Sequence, residues 1–407
     1  MRHYALEVLM TNLSLYLVES ADMYPDGPAL RCDGATTTFS ELADNAARFA
    51  AYLDGRGLGP GDRVGVMLTN RPDFATVFYG VLHAGAVVVP MDPLHSAREV
   101  ALILTNTGAR LLVFGRSCWR AATAGARAAG VTPIRIGTHT LEQLTDDFLG
   151  RAWPVTRANN DDAVVLHTSC MTGMLKGAQL THSNLVSSQA VIARNLLDIG
   201  PDDVVLGCLP QFHASGMTYG LGAAMSSGAT LALLPSFDPG KALEMVAAEG
   251  VTVFEGLPAM YAAILGSVAG HDRDFGSLRV CISIGAAMPV EVLHRFEDEF
   301  DCTVLEGYGL PETSGVACSN HPGAVRKAGS IGTPIGGVQM RVVDEHATEV
   351  PTGTPGEIQV RGHNVMKGYW NLPEATANAV VGGWFSTGDI GLVDEDGHFF
   401  IVARKVV

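Results

Sequence analysis

Residues 162–181, Asp162-Ala-Val-Val-Leu-His-Thr-Ser-Cys-Met-Thr-Gly-Met-Leu-Lys-Gly-Ala-Gln-Leu-Thr181, combine features that few folds place in succession. The apolar run 163–166 predicts a buried strand, a loop of small and hydroxyl-bearing residues follows, and Thr181 or Ser183 can cap a helix beginning near Asn184. Strand, loop and helix in that order suit a phosphate site. Loop N–H groups can face phosphoryl oxygens, the hydroxyls of Thr168, Ser169 and Thr172 add donors, and Lys176 adds positive charge. It is not a Walker A loop, because no Gly-Lys-Ser/Thr triplet follows a glycine at the required spacing.

The loop resembles the phosphate-binding signature of the adenylate-forming superfamily, which includes acyl-CoA synthetases, aryl-CoA ligases, nonribosomal-peptide adenylation domains and luciferases. Thr168, Ser169, Thr172, Gly173, Lys176 and Gly177 match it, whereas Cys170, Met171 and Leu175 replace the usual Gly, Thr and Pro. Cys170 removes a residue tolerant of positive φ and Met171 removes a hydroxyl, so the loop is expected to be less supple and poorer in donors.

Further segments resemble that family in its own order. Leu209-Pro-Gln-Phe-His213 resembles the segment whose histidine borders the acyl site, where an imidazole can donate to a carboxylate or gate a thiol channel. Ser283-Ile-Gly-Ala-Ala-Met-Pro289 resembles the segment running along the acyl group and the adenine, which implies nucleotide contacts at Gly285, Ala286 and Ala287. Glycine is usual where Ile284 stands, so a branched side chain is expected to shorten the acyl tunnel lined by His213, Gly216, Ile284 and Gly285. Glu306-Gly-Tyr-Gly-Leu-Pro-Glu-Thr-Ser314 is the most specific match. The resemblance places Glu306, Gly307, Tyr308 and Gly309 at the nucleotide, with Tyr308 stacked on adenine, and gives Glu312 the Mg²⁺, a hard cation that favours oxygen ligands. Pro311 stands where the family has a hydroxyl touching the α-phosphate, and it offers neither hydroxyl nor N–H. In Trp384-Phe-Ser-Thr-Gly-Asp389 the aspartate is expected to accept both ribose hydroxyls, and Arg404 matches a ribose-contacting arginine before an interdomain hinge.

The resemblance implies an AMP-forming, ATP- and Mg²⁺-dependent enzyme with Lys176, His213 and Glu312 at its catalytic centre. Its substrate would be a small carboxylic acid, passed on to CoA or to the phosphopantetheine of an acyl carrier protein. A non-catalytic protein of the same fold is the rival reading, supported by Cys170, Met171, Leu175 and Pro311. A third keeps the chemistry but takes an aromatic acid or a small inorganic oxyanion.

Alternating helical patterns and short apolar strands imply parallel sheets wrapped by helices. The expected fold is α/β: two doubly wound subdomains, 1–160 and 161–320, then a small distorted β-barrel at 321–402, and the start of a hinge at 403–407. The family's small C-terminal domain, roughly a hundred residues and a typical domain's worth, lies beyond the sequence. With 407 residues, 47% of them hydrophobic and 17% charged, the chain is globular. A net charge of −15 argues against nucleic acid or an anionic membrane as the main partner. Seven scattered cysteines without a Cys-x-x-Cys pair suggest reduced thiols in a cytoplasmic protein, and no run of apolar residues is long enough to span a membrane. Oligomeric state is left open, a homodimer included.

Overall fold

Strands that are apolar on both faces must be covered on both, and this chain has many of them. All four residues of Val87–Pro90, Leu111–Phe114, Val204–Gly207, Val253–Gly256 and Val280–Ser283 are buried, as parallel strands under helices should be. The computed structural model describes residues 12–137, 141–150, 153–169, 175–268 and 274–405.

The first sheet has seven strands, in the order Gly368–Tyr369, Leu175–Thr181, Asp162–Ser169, Val87–Pro90, Arg63–Met67, Leu111–Phe114 and Thr132–Arg135. Its interior pairs are parallel, and its last two edge pairings, at 162–181 and 368–369, are antiparallel. The second sheet has nine strands, parallel from Pro28–Cys32 through Thr230–Leu233, Val204–Gly207, Val253–Gly256 and Val280–Ser283 to Thr303–Tyr308. The small barrel expected near the end of the chain is a five-stranded antiparallel sheet. Its long strand Trp384–Val393 pairs on one side with Gly356–Gly362, and on the other with Val380–Val381 and then Phe399–Arg404.

Sheet membership does not follow the division at residue 160. The strands Pro28–Cys32 and Ala35–Thr38 join the second sheet, and the hairpin 162–181 completes the first. A single apolar core accordingly runs from Val64, Val113 and Val164 through Leu185, Ile192 and Leu221 to Val205, Ile282 and Leu305. The helix Pro72–His83 is buried at every position from Phe74 onward. Capping chemistry sets several helix starts. Thr38, Ser96 and Thr181 each accept from the backbone N–H three residues on, and Glu41, Glu99 and Asn184 reach back to complete the box. Among the described residues no helix is long and apolar enough to cross a membrane, and the described cysteines are all free thiols.

Candidate active site

The expected order of strand, loop and helix around Lys176 is corrected by the structure to strand, loop, strand, helix. Asp162–Ser169 and Leu175–Thr181 form an antiparallel hairpin with Thr168 opposite Lys176, and the helix His182–Ala190 begins only after the second strand. Polar Lys176 and Gln179 hide the strand, because they are half-buried on opposite faces of it and interrupt the apolar alternation that Ala178 and Leu180 would otherwise show. The helix thus follows the second strand of the pair and not the loop. Cys170, Met171, Thr172 and Gly173 lie outside the described residues, and of Ser169 only the backbone is described.

The hairpin opens onto a cleft of about 1550 Å³. Its walls come from the ends of strands in all three sheets: Thr168 and Lys176, Ile284 and Gly285, Gly309 to Glu312, and Thr387, Gly388 and Arg404. His213 completes it from the turn after Val204–Gly207. Ligands of open α/β sheets sit beyond the carboxyl ends of the strands, as this cleft does.

Glu312 lies in a short turn, Pro311–Thr313, that follows the strand Thr303–Tyr308. The turn is tight: a Cβ on Gly309 would fall 2.2 Å from the carbonyl oxygen of Gly315. Tyr369 donates its hydroxyl to Glu312 Oε1 at 3.0 Å, and Lys176 Nζ stands 5.1 Å from the centre of the same tyrosine ring. Burial pushes the Glu312 carboxyl above its ordinary range, while the Tyr369 hydroxyl and the charges of Arg404 and Lys176 pull it down. Glu312, Tyr369 and Lys176 thus form one cluster of acid, phenol and ammonium.

A second cluster faces it. Tyr308 donates to Asp389 Oδ2 at 2.6 Å, and Arg404 Nε lies 3.7 Å from Asp389 Oδ1. Asp389 and Arg404 are directly paired across neighbouring strands, so their meeting is built into the sheet register. Burial first, and then the neighbouring Asp389 carboxylate, raise the Tyr308 hydroxyl well above its ordinary value.

His213 projects into the cleft with the ring of Phe212 packed 4.7 Å away. Desolvation by the cleft walls holds its imidazole below the usual range, with Asp92 opposing and His95 adding to that shift. Ile284 is buried beneath the floor, and Gly285, with φ +82°, turns the chain out of the strand beside it.

Other expected contacts lie elsewhere. Glu306 does not line the cleft: its carboxylate accepts from the Gly329 N–H at 3.0 Å, and burial raises its pKa to about 7. Gly216 is buried against the 209–210 turn, where a Cβ would meet the Pro210 oxygen at 2.4 Å, so its part is close packing. Ala286, Ala287 and Gly307 are likewise outside the lining, as are Tyr308 and Asp389, which meet it through Arg404. Sequence reasoning missed Tyr369, which the edge strand Gly368–Tyr369 carries in from nearly two hundred residues away by pairing Tyr369 with Ala178. It also missed His95 and His167, both of which line the cleft. His167 is a strand-end residue whose pKa falls to about 4 through burial and then through its neighbour His95, so it is neutral at physiological pH. A histidine ending the apolar run 163–166 was the available signal.

Comparison with known proteins gives consistent matches. Residues 17–370 fit the family model described as AMP-binding enzyme. The chain is 33% identical over 428 residues to a long-chain-fatty-acid–CoA ligase of Bacillus subtilis (strain 168), covering 97% of this chain and 76% of that protein. It is 35% identical over 394 residues to a feruloyl-CoA synthase of Amycolatopsis sp, covering 96% and 78% respectively. A benzoate CoA ligase from Burkholderia xenovorans LB400 superposes with a TM-score of 0.91 at 29% identity, over 97% of this chain and 80% of that one.

Proposed function

We propose the following use of the cleft by this chain, which belongs to the AMP-binding enzyme family and carries out ATP-dependent, AMP-forming activation of a carboxylic acid. Thr172 and Gly173, together with Thr168, Ser169 and Lys176, hold the β- and γ-phosphates. Tyr308, Asp389 and Arg404 hold the nucleoside, with the tyrosine ring against adenine and the carboxylate on the ribose hydroxyls. His213 and the backbone at Gly285 orient the acid so that one carboxylate oxygen lies in line with the α-phosphorus. That oxygen forms the new P–O bond, the bond from the α-phosphorus to the bridging oxygen breaks, and pyrophosphate leaves with its electrons. Positioning and charge supply the acceleration, with no covalent enzyme intermediate.

Among the described residues no three His, Cys, Asp or Glu side chains gather as a metal cage. A single cleft carboxylate nonetheless fits Mg²⁺, which is commonly held by one or two carboxylates plus substrate phosphates. Glu312 would be that ligand, and when bound the ion neutralises charge on the departing pyrophosphate. The adenylate then passes to a thiol of CoA or of a carrier-protein phosphopantetheine, whose sulfur displaces AMP.

The observation that carries this reading is that Lys176, Glu312, Tyr369 and Arg404 line one cleft, with Asp389 paired to Arg404 and Tyr308 hydrogen-bonded to Asp389 directly behind that lining. Acid-dependent exchange of pyrophosphate into ATP, run with a panel of aliphatic and aromatic acids, tests it. Exchange that Lys176→Ala or Glu312→Gln lowers by about 10²–10³-fold supports the assignment. Exchange unaffected by either substitution removes them from the site.

A further inference from the structure

Two thiols can join as a disulfide only where the fold has already brought their sulfurs together. Among the described cysteines one pair meets that condition: Cys281 Sγ lies 3.7 Å from Cys302 Sγ. Cys118 instead donates its S–H to the Met67 carbonyl at 3.4 Å, and Cys208 to that of Glu255 at 3.2 Å. Cys281 belongs to the strand Val280–Ser283 and faces the apolar cluster of Phe254, Tyr261, Phe296 and Phe300. Cys302 precedes the neighbouring strand Thr303–Tyr308, in which Thr303 pairs with Val280 and Val304 with Cys281, so the two thiols are diagonal neighbours on one sheet face.

The pair is unequal. Cys281 is fully buried, whereas Cys302 is part-exposed at the turn between the helix Val290–Phe300 and its strand. Asp301 makes that turn in the left-handed conformation, with φ 47°, and the strand ladder begins only at Thr303. Closing the sulfurs to bonding distance, about 2.0 Å, therefore shifts a turn and leaves the sheet register intact. Burial first, and then the neighbouring Cys302 sulfur and the Glu297 charge, raise the Cys281 thiol well above its ordinary value. Arg279, two residues before Cys281, is engaged by Asp203, and Arg326 by Glu297, so neither guanidinium is left to stabilise a thiolate. Thiolate is the reactive form, so the pair answers sustained exposure to an oxidant rather than a brief pulse.

We propose that Cys281 and Cys302 form a site of reversible oxidation, at which a small hydroperoxide reacts first with Cys302 and the product is an intramolecular disulfide. The Cys302 thiolate attacks one peroxide oxygen, the O–O bond breaks, and the departing hydroxide leaves as water with the thiol's proton. Cys302 is then a sulfenic acid. The Cys281 sulfur attacks the Cys302 sulfur, the S–S bond forms as the S–O bond breaks, and the hydroxide leaves as a second water with the Cys281 proton. Two thiols lose two electrons in all, and one peroxide is reduced to two waters. Hydrogen peroxide is small and neutral, as entry to a part-buried thiol requires, whereas a glutathione-type disulfide must bring a bulky leaving group to it. With Cys281 already in contact, the sulfenic acid is trapped before a second oxidation to the irreversible sulfinic acid. The bond closes a loop over residues 281–302, which contains the cleft residues Ile284 and Gly285.

Peptide mapping of the native protein, treated with hydrogen peroxide, quenched and alkylated, tests this. The expected result is the loss of both free thiols of the pair, with tryptic peptides 280–295 and 296–326 joined and both thiols recovered by dithiothreitol. The second peptide also holds Cys318, so fragmentation assigns the sulfur. Cys302→Ser should abolish the link. Cys281→Ala should leave Cys302 captured by dimedone as a sulfenic acid, or carried on to sulfinic acid, which separates the entering thiol from the resolving one. The wild-type map decides without either variant, so misfolding of Cys281→Ala does not shield the proposal. Joining of any other pair, a link between two chains, or sulfinic acid at Cys302 of the wild type with Cys281 left free overturns it. So does a wild type that keeps both thiols under peroxide that has already converted the exposed Met23 to its sulfoxide.

Discussion

Two regions of the molecule treat their polar groups in opposite ways. Beside the cleft lining, Tyr308 and Asp389 and the lining residue Arg404 satisfy one another through a 2.6 Å hydrogen bond and a strand register that sets acid opposite base. Away from the cleft lining, Glu255 and Tyr219 are more deeply buried and their side-chain oxygens have no partner among the described residues. The contrast separates two kinds of preparation. In the first the polar groups hold one another in place, whereas in the second they are buried among apolar neighbours without that support. Desolvation costs both, and only the first recovers that cost within the protein.

The largest effect should come from breaking the satisfied region at its charge. Asp389→Asn keeps the shape but removes the carboxylate, and AMP affinity measured by calorimetry should fall about 10-fold or more, since hydrogen bonds to charged groups contribute about 1.5–3 kcal/mol. An unchanged affinity would place the ribose elsewhere. Tyr308→Phe sharpens the comparison on the stability side. It leaves a buried carboxylate short of one donor, at about 1–3 kcal/mol, so chemical denaturation should show a loss that Glu255→Leu does not. Equal losses in the two variants would erase the distinction between the regions.

Smaller still is the change expected at the floor. Ile284→Ala should lower the KM for acids longer by a methylene or two by about 10-fold or less, with KM for ATP unaffected. No response to chain length would mean that Ile284 does not bound the acid. The smallest effect is a pH dependence outside both regions. Glu306 has its pKa raised by burial from 4.5 to about 7, so the folded state holds a proton that the unfolded state has already released. Its contribution to stability is full below pH 4.5 and is lost as pH rises through about 7. His167 runs the other way. Its pKa drops from 6.5 to about 4, so its contribution is full above 6.5 and is lost as pH falls toward 4. Melting curves of Glu306→Gln against the wild type should therefore lack a decline between pH 4.5 and 7, and identical pH profiles would show that Glu306 does not titrate in that window.

Much of the site was legible because its residues end apolar runs. Lys176, His213, Gly285, Glu312 and Asp389 each lie within or beside a strand pattern, and strand ends are where an open α/β sheet puts its chemistry. Three things were not legible in the same way. The strand at 175–181 was obscured because half-buried Lys176 and Gln179, one on each face, break its apolar pattern, which local reading takes for loop. Glu306 has the composition of a site residue, but its side chain points to the Gly329 N–H. Tyr369 reaches Glu312 only because a two-residue strand pairs with the sheet edge.

Residue type and local periodicity alone determined the buried parallel strands, the capped helices at Thr38, Ser96 and Thr181, and the stock of acids, bases and hydroxyls, since each depends on neighbours a few positions away. Tertiary structure decided which of those groups meet. Tyr308 finds Asp389 across 81 residues and Tyr369 finds Glu312 across 57, while Glu255 finds no partner among the described residues. Whether a buried polar group is satisfied depends on every chain segment around it, so a partnered carboxylate and an unpartnered one look alike until the sheets are packed.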